Sequence, residues 1–290
     1  MSLANKLGKQ FVVTVEIDPP RGVNIDKVLE GARVLKGVDA INLADSPMAR
    51  VRMSPIALAH LIKEKLGIET ILHMTCRDRN LLSLQSELLG AYALGIENVL
   101  ALTGDPPSIG DFPHATGVFD VTSEGLVHLI RQLNSGNDLA GNKLNAPTNF
   151  CIGVALNPTA DDLDKEIDRL KRKVAAGAHF ALTQPIYSRR VVDLLLDKCS
   201  DVGIPILIGI LPLRSSRHCE FLHNEVPGIV VPDDVRKRMR DAGDNGRSEG
   251  IEIAREFLES IMGQVAGVYL MPPFADYSMA AEIIEILPSG

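Results

Sequence analysis

Several things are missing from this chain of 290 residues, and each absence removes a class of function. No apolar run approaches the roughly 18–20 residues that span a bilayer, so no transmembrane segment is expected. The opening MSLANKLGKQ lacks the apolar block of a secretory signal, and a cytoplasmic setting is the expectation. Positive charge is not in excess. The net charge of −7 speaks against broad nucleic-acid or anionic-membrane binding, although a local basic patch can still hold a small anion. Cysteine is sparse: Cys76, Cys151, Cys199 and Cys219 form no CxxC pair and read as reduced thiols. His73 beside Cys76 lacks further ligands at metal-binding spacing, so no metal is expected. No GxGxxG follows the first strand, and neither a phosphate loop nor a nucleophile-base pair occurs. No linker or low-complexity tract divides the chain, which reads as one domain over 1–290.

What is present is a repeated unit: a short apolar strand, a polar tip, then an amphipathic helix. Strands are predicted at Phe11–Ile17, Asp39–Leu43, Glu69–Met74, Val99–Thr103, Asn149–Leu156, His179–Thr183, Pro205–Ile210 and Val265–Met271. Helices are expected over about Asn24–Leu35, Ser54–Lys65, Asn80–Leu94, Ser123–Leu133 and Arg189–Lys198. A long helical region broken by Pro227 and Pro232 should run to about Met262, and a last helix should cover Tyr277–Ile286. Thr159-x-x-Asp162 resembles a capping box for the helix carrying Leu163, Ile167, Leu170 and Val174. Nearly continuous Val/Ile/Leu/Ala strands imply a parallel sheet buried on both faces. Eight such units in an α/β chain predict a (β/α)8 TIM barrel, with a doubly wound open sheet as the alternative.

In a barrel the chemistry sits at the C-terminal strand ends. Glu16 lies inside a β-branched strand, where an acid costs desolvation unless it has a partner or a task. It is either a general acid with a raised pKa or half of a salt bridge, for instance with Arg21. Asp105 follows Gly104, and either meets a ligand or anchors the Pro106-Pro107 turn. His73 on an apolar strand reads as a hydrogen-bonded core histidine or a ligand contact. Gln184 is suited to a heterocycle or to a turn before Pro185. Lys171-Arg172-Lys173 ends a helix, as a solvated face or a phosphate grip. Carboxylates, amides and one histidine around a pocket call for a bound cofactor to do the hard step.

These tips resemble the methylenetetrahydrofolate reductase family along nearly the whole chain. The matching pieces are Glu16-x-x-Pro19-Pro20-Arg21, His73-x-Thr75-Cys76 and Leu102-x-Gly104-Asp105-x-Pro107. Further on come Leu170-Lys171-Arg172-Lys173-Val174-x-Ala176-Gly177-Ala178, Thr183-Gln184 and Gly209-Ile210-Leu211-Pro212. The resemblance implies a ping-pong reaction in which NAD(P)H reduces FAD, and the flavin then reduces 5,10-methylenetetrahydrofolate to 5-methyltetrahydrofolate. By similarity Glu16 is the general acid and Asp105 supports the cation formed on the pterin. Gln184 and His218 would contact the folate. FAD would lie along Ala44, Ser46, His73, Thr103, Gly104, Asp105, Asn157, Arg172 and Lys173.

Four departures accompany the match. The second strand ends Leu43-Ala44-Asp45-Ser46 in place of the usual Thr-Tyr-Gly-Ala. Thr103 stands where the best-known bacterial members carry Arg. Met271-Pro272-Pro273-Phe274 ends the eighth strand in place of an Asn-Arg that serves the folate. His218 falls where a folate-contacting Gln is often found. These features resemble a subgroup with reductase halves of bifunctional homocysteine methyltransferases and acetogen-type reductases. The alternative reading is therefore a folate-binding subunit that receives electrons from a partner protein. Partners expected are the folate, that partner subunit in the alternative, and a second copy in a homo-oligomer, with neither nucleic acid nor membrane.

Overall fold

A strand that is apolar on both faces needs cover on both sides. A closed parallel barrel provides it, with its interior taking one set of side chains and a ring of helices the other. The computed structural model describes residues 2–287. Its strands are β1 (Val12–Ile17), β2 (Ala40–Leu43), β3 (Thr70–Thr75), β4 (Asn98–Leu102), β5 (Cys151–Leu156), β6 (Phe180–Pro185), β7 (Ile206–Ile210) and β8 (Gly267–Leu270). They close in sequence order, and β8 returns to pair in parallel with β1.

A short α1 (Leu3–Lys6) precedes the barrel. Between strands run α2 (Asp26–Val34), α3 (Pro55–Leu66), α4 (Leu81–Ala93), α5 (Ser123–Asn134), α6 (Leu163–Ala176) and α7 (Arg189–Lys198). Between β7 and β8 the chain makes α8 (Ser216–Glu225), α9 (Asp233–Asp241) and α10 (Gly246–Ile261), and α11 (Tyr277–Ile284) ends the described fold. The predicted TIM barrel is thus the observed one. The helix at 189–198 falls on its predicted residues, and most other bounds move by one or two. Only α1 has no predicted counterpart.

Two cores follow from the two-residue period of a strand. Val12, Ala40, Ile71, Leu100, Phe180, Leu182, Leu207 and Tyr269 fill the interior together with Leu3 of α1. Their neighbours in sequence, such as Ile41, Leu72, Val99 and Ile208, face outward into the helix layer. Gly153 opposes Phe180 in the interior: a β-carbon there would come within 2.4 Å of the ring, so only glycine leaves it room. Excursion α8–α10 has a small core of its own, including Cys219, Leu222, Val235, Met239 and Ile253.

Two local details position the site. The cap of α6 is Asp162, whose Oδ1 accepts the Lys165 N–H at 3.0 Å. Thr159 is not the cap that the sequence spacing predicts, because its hydroxyl donates to the Gly228 carbonyl on the neighbouring excursion instead. The β6–β7 register shifts between Leu182 and Pro185. There the Thr183 hydroxyl accepts from Gly209 N at 2.7 Å and donates to the Gln184 carbonyl at 2.8 Å. A β-carbon at Gly209 would lie 2.4 Å from the Thr183 carbonyl, so this bulge needs glycine on β7. It turns Gln184 out of the barrel to an exposed position at its mouth.

Candidate functional site

Two cavities flank the C-terminal mouth. One, of about 960 Å³, lies at the ends of β1, β7 and β8, and among its lining residues are Glu16, Asp18, Arg52, His218, Met271 and Phe274. The second, of about 580 Å³, lies at the ends of β4, β5 and β6, and among its residues are Thr103, Asn157, Arg169, Arg172, Lys173 and Gln184.

Glu16 is the last inward-facing residue of β1, and Tyr269 of β8 donates its hydroxyl to the Glu16 carboxyl across the strand pair that closes the barrel. Burial drives the Glu16 pKa up to about 7, the Tyr269 hydrogen bond pulls it down, and nearby Asp18 pushes it up again. Arg21 is exposed and makes no bond to Glu16. The salt-bridge reading of Glu16 thus gives way to a carboxyl held by a phenol and poised between its two protonation states near neutral pH. Beside Glu16 in the β1–β2 register is Asn42, fully buried. Its Oδ1 lies 3.2 Å from His73 Nε2, while its Nδ2 has no partner. Such an orphan donor next to a cavity is what a ligand group or an ordered water satisfies. Burial lowers the His73 pKa to about 4, against the pull of Asp45, so the ring is neutral at physiological pH. His73 thus belongs, as a neutral ring, to the polar layer under the cavity.

Over the same cavity His218 packs edge-on against Phe274, with ring centroids 5.1 Å apart, and its Nδ1 accepts from Arg214 N at 3.3 Å. Burial and the Arg214 charge lower its pKa to about 4. A neutral imidazole results, able to hydrogen-bond without carrying charge. Asp18 has its pKa raised by burial, with Arg52 only 3.8 Å away.

At the second cavity the basic end of α6 is divided. Arg172 is exposed and pairs with Glu124 at 3.1 Å, and Arg169 pairs with Glu166 at 3.0 Å. Lys173 is buried and donates to the Ala155 carbonyl at 2.8 Å, with its pKa lowered by burial and supported by Glu166. Three cations thus meet two carboxylates around this cavity. Asn157 Oδ1 accepts from Thr159 N at 3.1 Å, which fixes the β5 tip. Thr103 accepts from Ser123 N at 3.1 Å and so ties the β4 tip to the start of α5.

The remaining tips line neither cavity. Asp105 is exposed, and its Oδ2 accepts the Met48 N–H at 2.9 Å, not a group of the Pro106-Pro107 turn. Gly104 has φ +91, and a β-carbon there would sit 2.9 Å from Thr75, so its glycine is demanded by the backbone and by the β3 tip. Ser46, Met48 and Ala49 all adopt left-handed φ, so the loop that Asp105 holds is strained. Ala44 is buried beneath it. Asp45 accepts from Thr75 N (2.9 Å), Thr75 Oγ1 (2.8 Å) and Arg79 (2.7 Å). The buried guanidinium of Arg77 donates to Asp78 and to the Ser46 carbonyl. Sequence reasoning missed Tyr269, Asn42, Arg52, Arg77 and Arg79. The strand period gave a signal for Tyr269, two residues before Met271, and for Asn42, two before Ala44, but not for the groups they meet.

Among the described residues no group of His, Cys, Asp and Glu could hold a metal ion, and no helix is long and apolar enough to cross a membrane. The family model described as Methylenetetrahydrofolate reductase matches residues 2–285. Over 300 residues the chain is 27% identical to "Probable methylenetetrahydrofolate reductase (NADPH)" of Caenorhabditis elegans, a match covering 97% of this chain and 42% of that one. It is 29% identical over 215 residues to "Methylenetetrahydrofolate reductase 1" of Schizosaccharomyces pombe, covering 71% of this chain and 33% of the relative. The chain thus spans a third to a half of the length of these curated relatives. Among solved structures, an uncharacterized protein from Clostridium thermocellum that binds two copies of 5-methyl-5,6,7,8-tetrahydrofolic acid shares the fold. Its TM-score is 0.61 at 14% identity, over 96% of this chain and 94% of that one. A 2,3-dimethylmalate lyase shares it at TM-score 0.54 and 12% identity, over 98% of this chain and 84% of the other. With the family match running almost from end to end, the chain belongs to the methylenetetrahydrofolate reductase family.

Proposed function

We propose that this chain, as one barrel unit over 1–290, reduces 5,10-methylenetetrahydrofolate to 5-methyltetrahydrofolate with FAD as its cofactor. The observation that carries the reading is Glu16: a carboxyl with a pKa of about 7 lines the larger cavity and is held by Tyr269. An acid of that strength can deliver a proton to a ring nitrogen near neutral pH, as opening the imidazolidine to an iminium requires. Family membership supplies the substrate class, and the C. thermocellum neighbour that binds a methylated folate is consistent with it.

FAD fits the donor set of the smaller cavity. Lys173 is paired there with a carbonyl rather than a carboxylate, and Arg169 and Arg172 lie beside it, which suits a diphosphate. When bound, the flavin supplies hydride to the folate carbon. Arg172 and Lys173 would grip its phosphates, with Thr103, Gly104, Asn157, Ala44, Ser46 and His73 as the further contacts we propose. Gln184, turned out by the β6 bulge, and His218 would orient the pterin by neutral hydrogen bonds. Asp105 would support the cation on the pterin once the Met48 loop yields it.

NAD(P)H is the donor we propose, in a cytoplasmic setting that suits four unpaired cysteines. The alternative donor is a partner protein. The test is an anaerobic one: the protein reconstituted with FAD is mixed with 5-methyltetrahydrofolate, running the folate half-reaction backwards. Bleaching of the visible flavin band is expected. A protein that takes up no FAD, or whose flavin ignores the folate, would overturn the proposal. Bleaching by folate but by neither NADH nor NADPH selects the partner reading.

A further inference from the structure

The larger cavity changes character from its floor to its rim. Glu16 and Met271 are half-buried, whereas Phe221 and Phe274 are exposed and supply aromatic surface on the α8 side. Beyond them the lining carries Lys27 of α2, Arg52 of the β2–α3 connection and Arg217 of α8. Among the described residues Lys27 and Arg217 have no ion-pair partner. Arg52 reaches Asp18 only at 3.8 Å, and its buried Nε has no hydrogen-bond partner at all. Elsewhere on the fold arginines such as Arg79, Arg236, Arg238 and Arg247 are saturated with carboxylates. Three cations therefore converge on one cavity whose acids are Glu16, bonded to Tyr269 at the floor, and the weakly placed Asp18. The first turn of α8, capped by Ser215, adds its positive end to the same wall.

We propose that Arg52, Lys27 and Arg217 form the receptor for the carboxylates of the substrate's glutamate tail. This rests on the folate reading above and deepens it. The order of groups fits such a molecule: a proton donor at the floor for the pterin, aromatic surface for the p-aminobenzoyl ring, and cations at the rim for the carboxylates. Arg52 supplies a planar guanidinium whose Nε edge is already desolvated and unspent. The cations come from α2, the β2–α3 connection and α8, whereas the β8 end lines the cavity with the uncharged Met271, Pro272, Pro273, Phe274 and Ala275.

The test compares binding of 5-methyltetrahydrofolate with that of its bis-amide, in which both tail carboxylates are neutral, by equilibrium titration of the FAD-reconstituted protein. The acid should bind about tenfold more tightly at low salt, and added salt should narrow the gap. Lys27→Ala/Arg217→Ala, which alters exposed side chains, should remove most of that preference while leaving bis-amide binding and the thermal midpoint unchanged. Arg52→Gln should do the same. Equal affinity of acid and amide for the unmodified protein would overturn the proposal, as would a preference that survives in both variants. A variant effect confined to the KM of NADPH would overturn it too, since the cations would then serve a nucleotide phosphate. Failure of both folates to bind would instead sink the function itself, and this inference with it.

Discussion

Glu16 can be tested by two independent readouts. As a general acid it contributes on the order of 10²–10⁴-fold to its proton-transfer step. Glu16→Gln should therefore slow the folate half-reaction by at least about a hundredfold while sparing flavin reduction by the donor. Equal losses in both half-reactions, measured by stopped-flow, would contradict the role. The second readout is stability. Glu16 moves from 4.5 to about 7 on folding, so its contribution is complete below about 4.5 and is lost as pH rises through 7. His73 and His218 move from 6.5 to about 4, and their contribution has the opposite slope, lost as pH falls through that window. The groups oppose one another between about 4.5 and 6.5. Glu16→Gln leaves the histidines alone, so urea midpoints should rise more steeply with pH there than in the unmodified protein. Tyr269→Phe removes a donor that favours the ionised Glu16, and the pH at which folate reduction fades should move upward. An unmoved profile would show that the phenol only fills space. Glu16 was legible because an acid in a β-branched strand is conspicuous. Its pairing with Tyr269 was not, because that bond joins residues 253 apart and exists only once β8 closes on β1.

At the scale of elements, strands were readable where both faces are buried, and helix starts were readable only when no tertiary partner competed. Thr159 and Asp162 both look like caps; the tertiary bond to Gly228 takes the first and leaves the second to α6. Asp162→Ala should cost about 1 kcal/mol and raise amide exchange in the first turn of α6, the helix that presents Arg172 and Lys173. Thr159→Val should leave that exchange unchanged, and the reverse pattern would restore the capping-box reading. The β2–α3 connection makes a parallel case. Asp105 accepts the Met48 N–H and so holds a loop with left-handed Ser46, Met48 and Ala49. Asp105→Ala should make residues 46–53 more open to proteolysis, and Asp105→Asn, which keeps an acceptor, should not. Equal cleavage in the two variants would mean that Arg77, through the Ser46 carbonyl, holds the loop unaided. Neither the bulge that exposes Gln184 nor this tether has a local sequence signature. Each is made by groups on two different strand tips.

For the molecule as a whole, the alternation of strand and helix sufficed to call the barrel, because a sheet apolar on both faces has few other ways to be covered. The two cavities had no such signal: their walls draw on α2, α5, α6 and α8, which are adjacent only after closure. A barrel of this kind also separates stability from chemistry along its axis. Phe180 and Gln184 share β6, with Phe180 in the filled interior and Gln184 at the mouth, four residues or about 13 Å further along the strand. Phe180→Leu would leave a void against Gly153, where the ring now fits the space of a missing side chain. The expected cost is about 1–2 kcal/mol, a fall of a few degrees in thermal midpoint. If the axis divides the two tasks, the affinity for 5-methyltetrahydrofolate should stay within about twofold, a change worth less than half of the 1.4 kcal/mol that makes a tenfold difference. A large loss of folate affinity at temperatures where the variant is folded would show that interior packing sets the β6 bulge. Gln184 would then depend on the barrel's core as well as on Thr183 and Gly209.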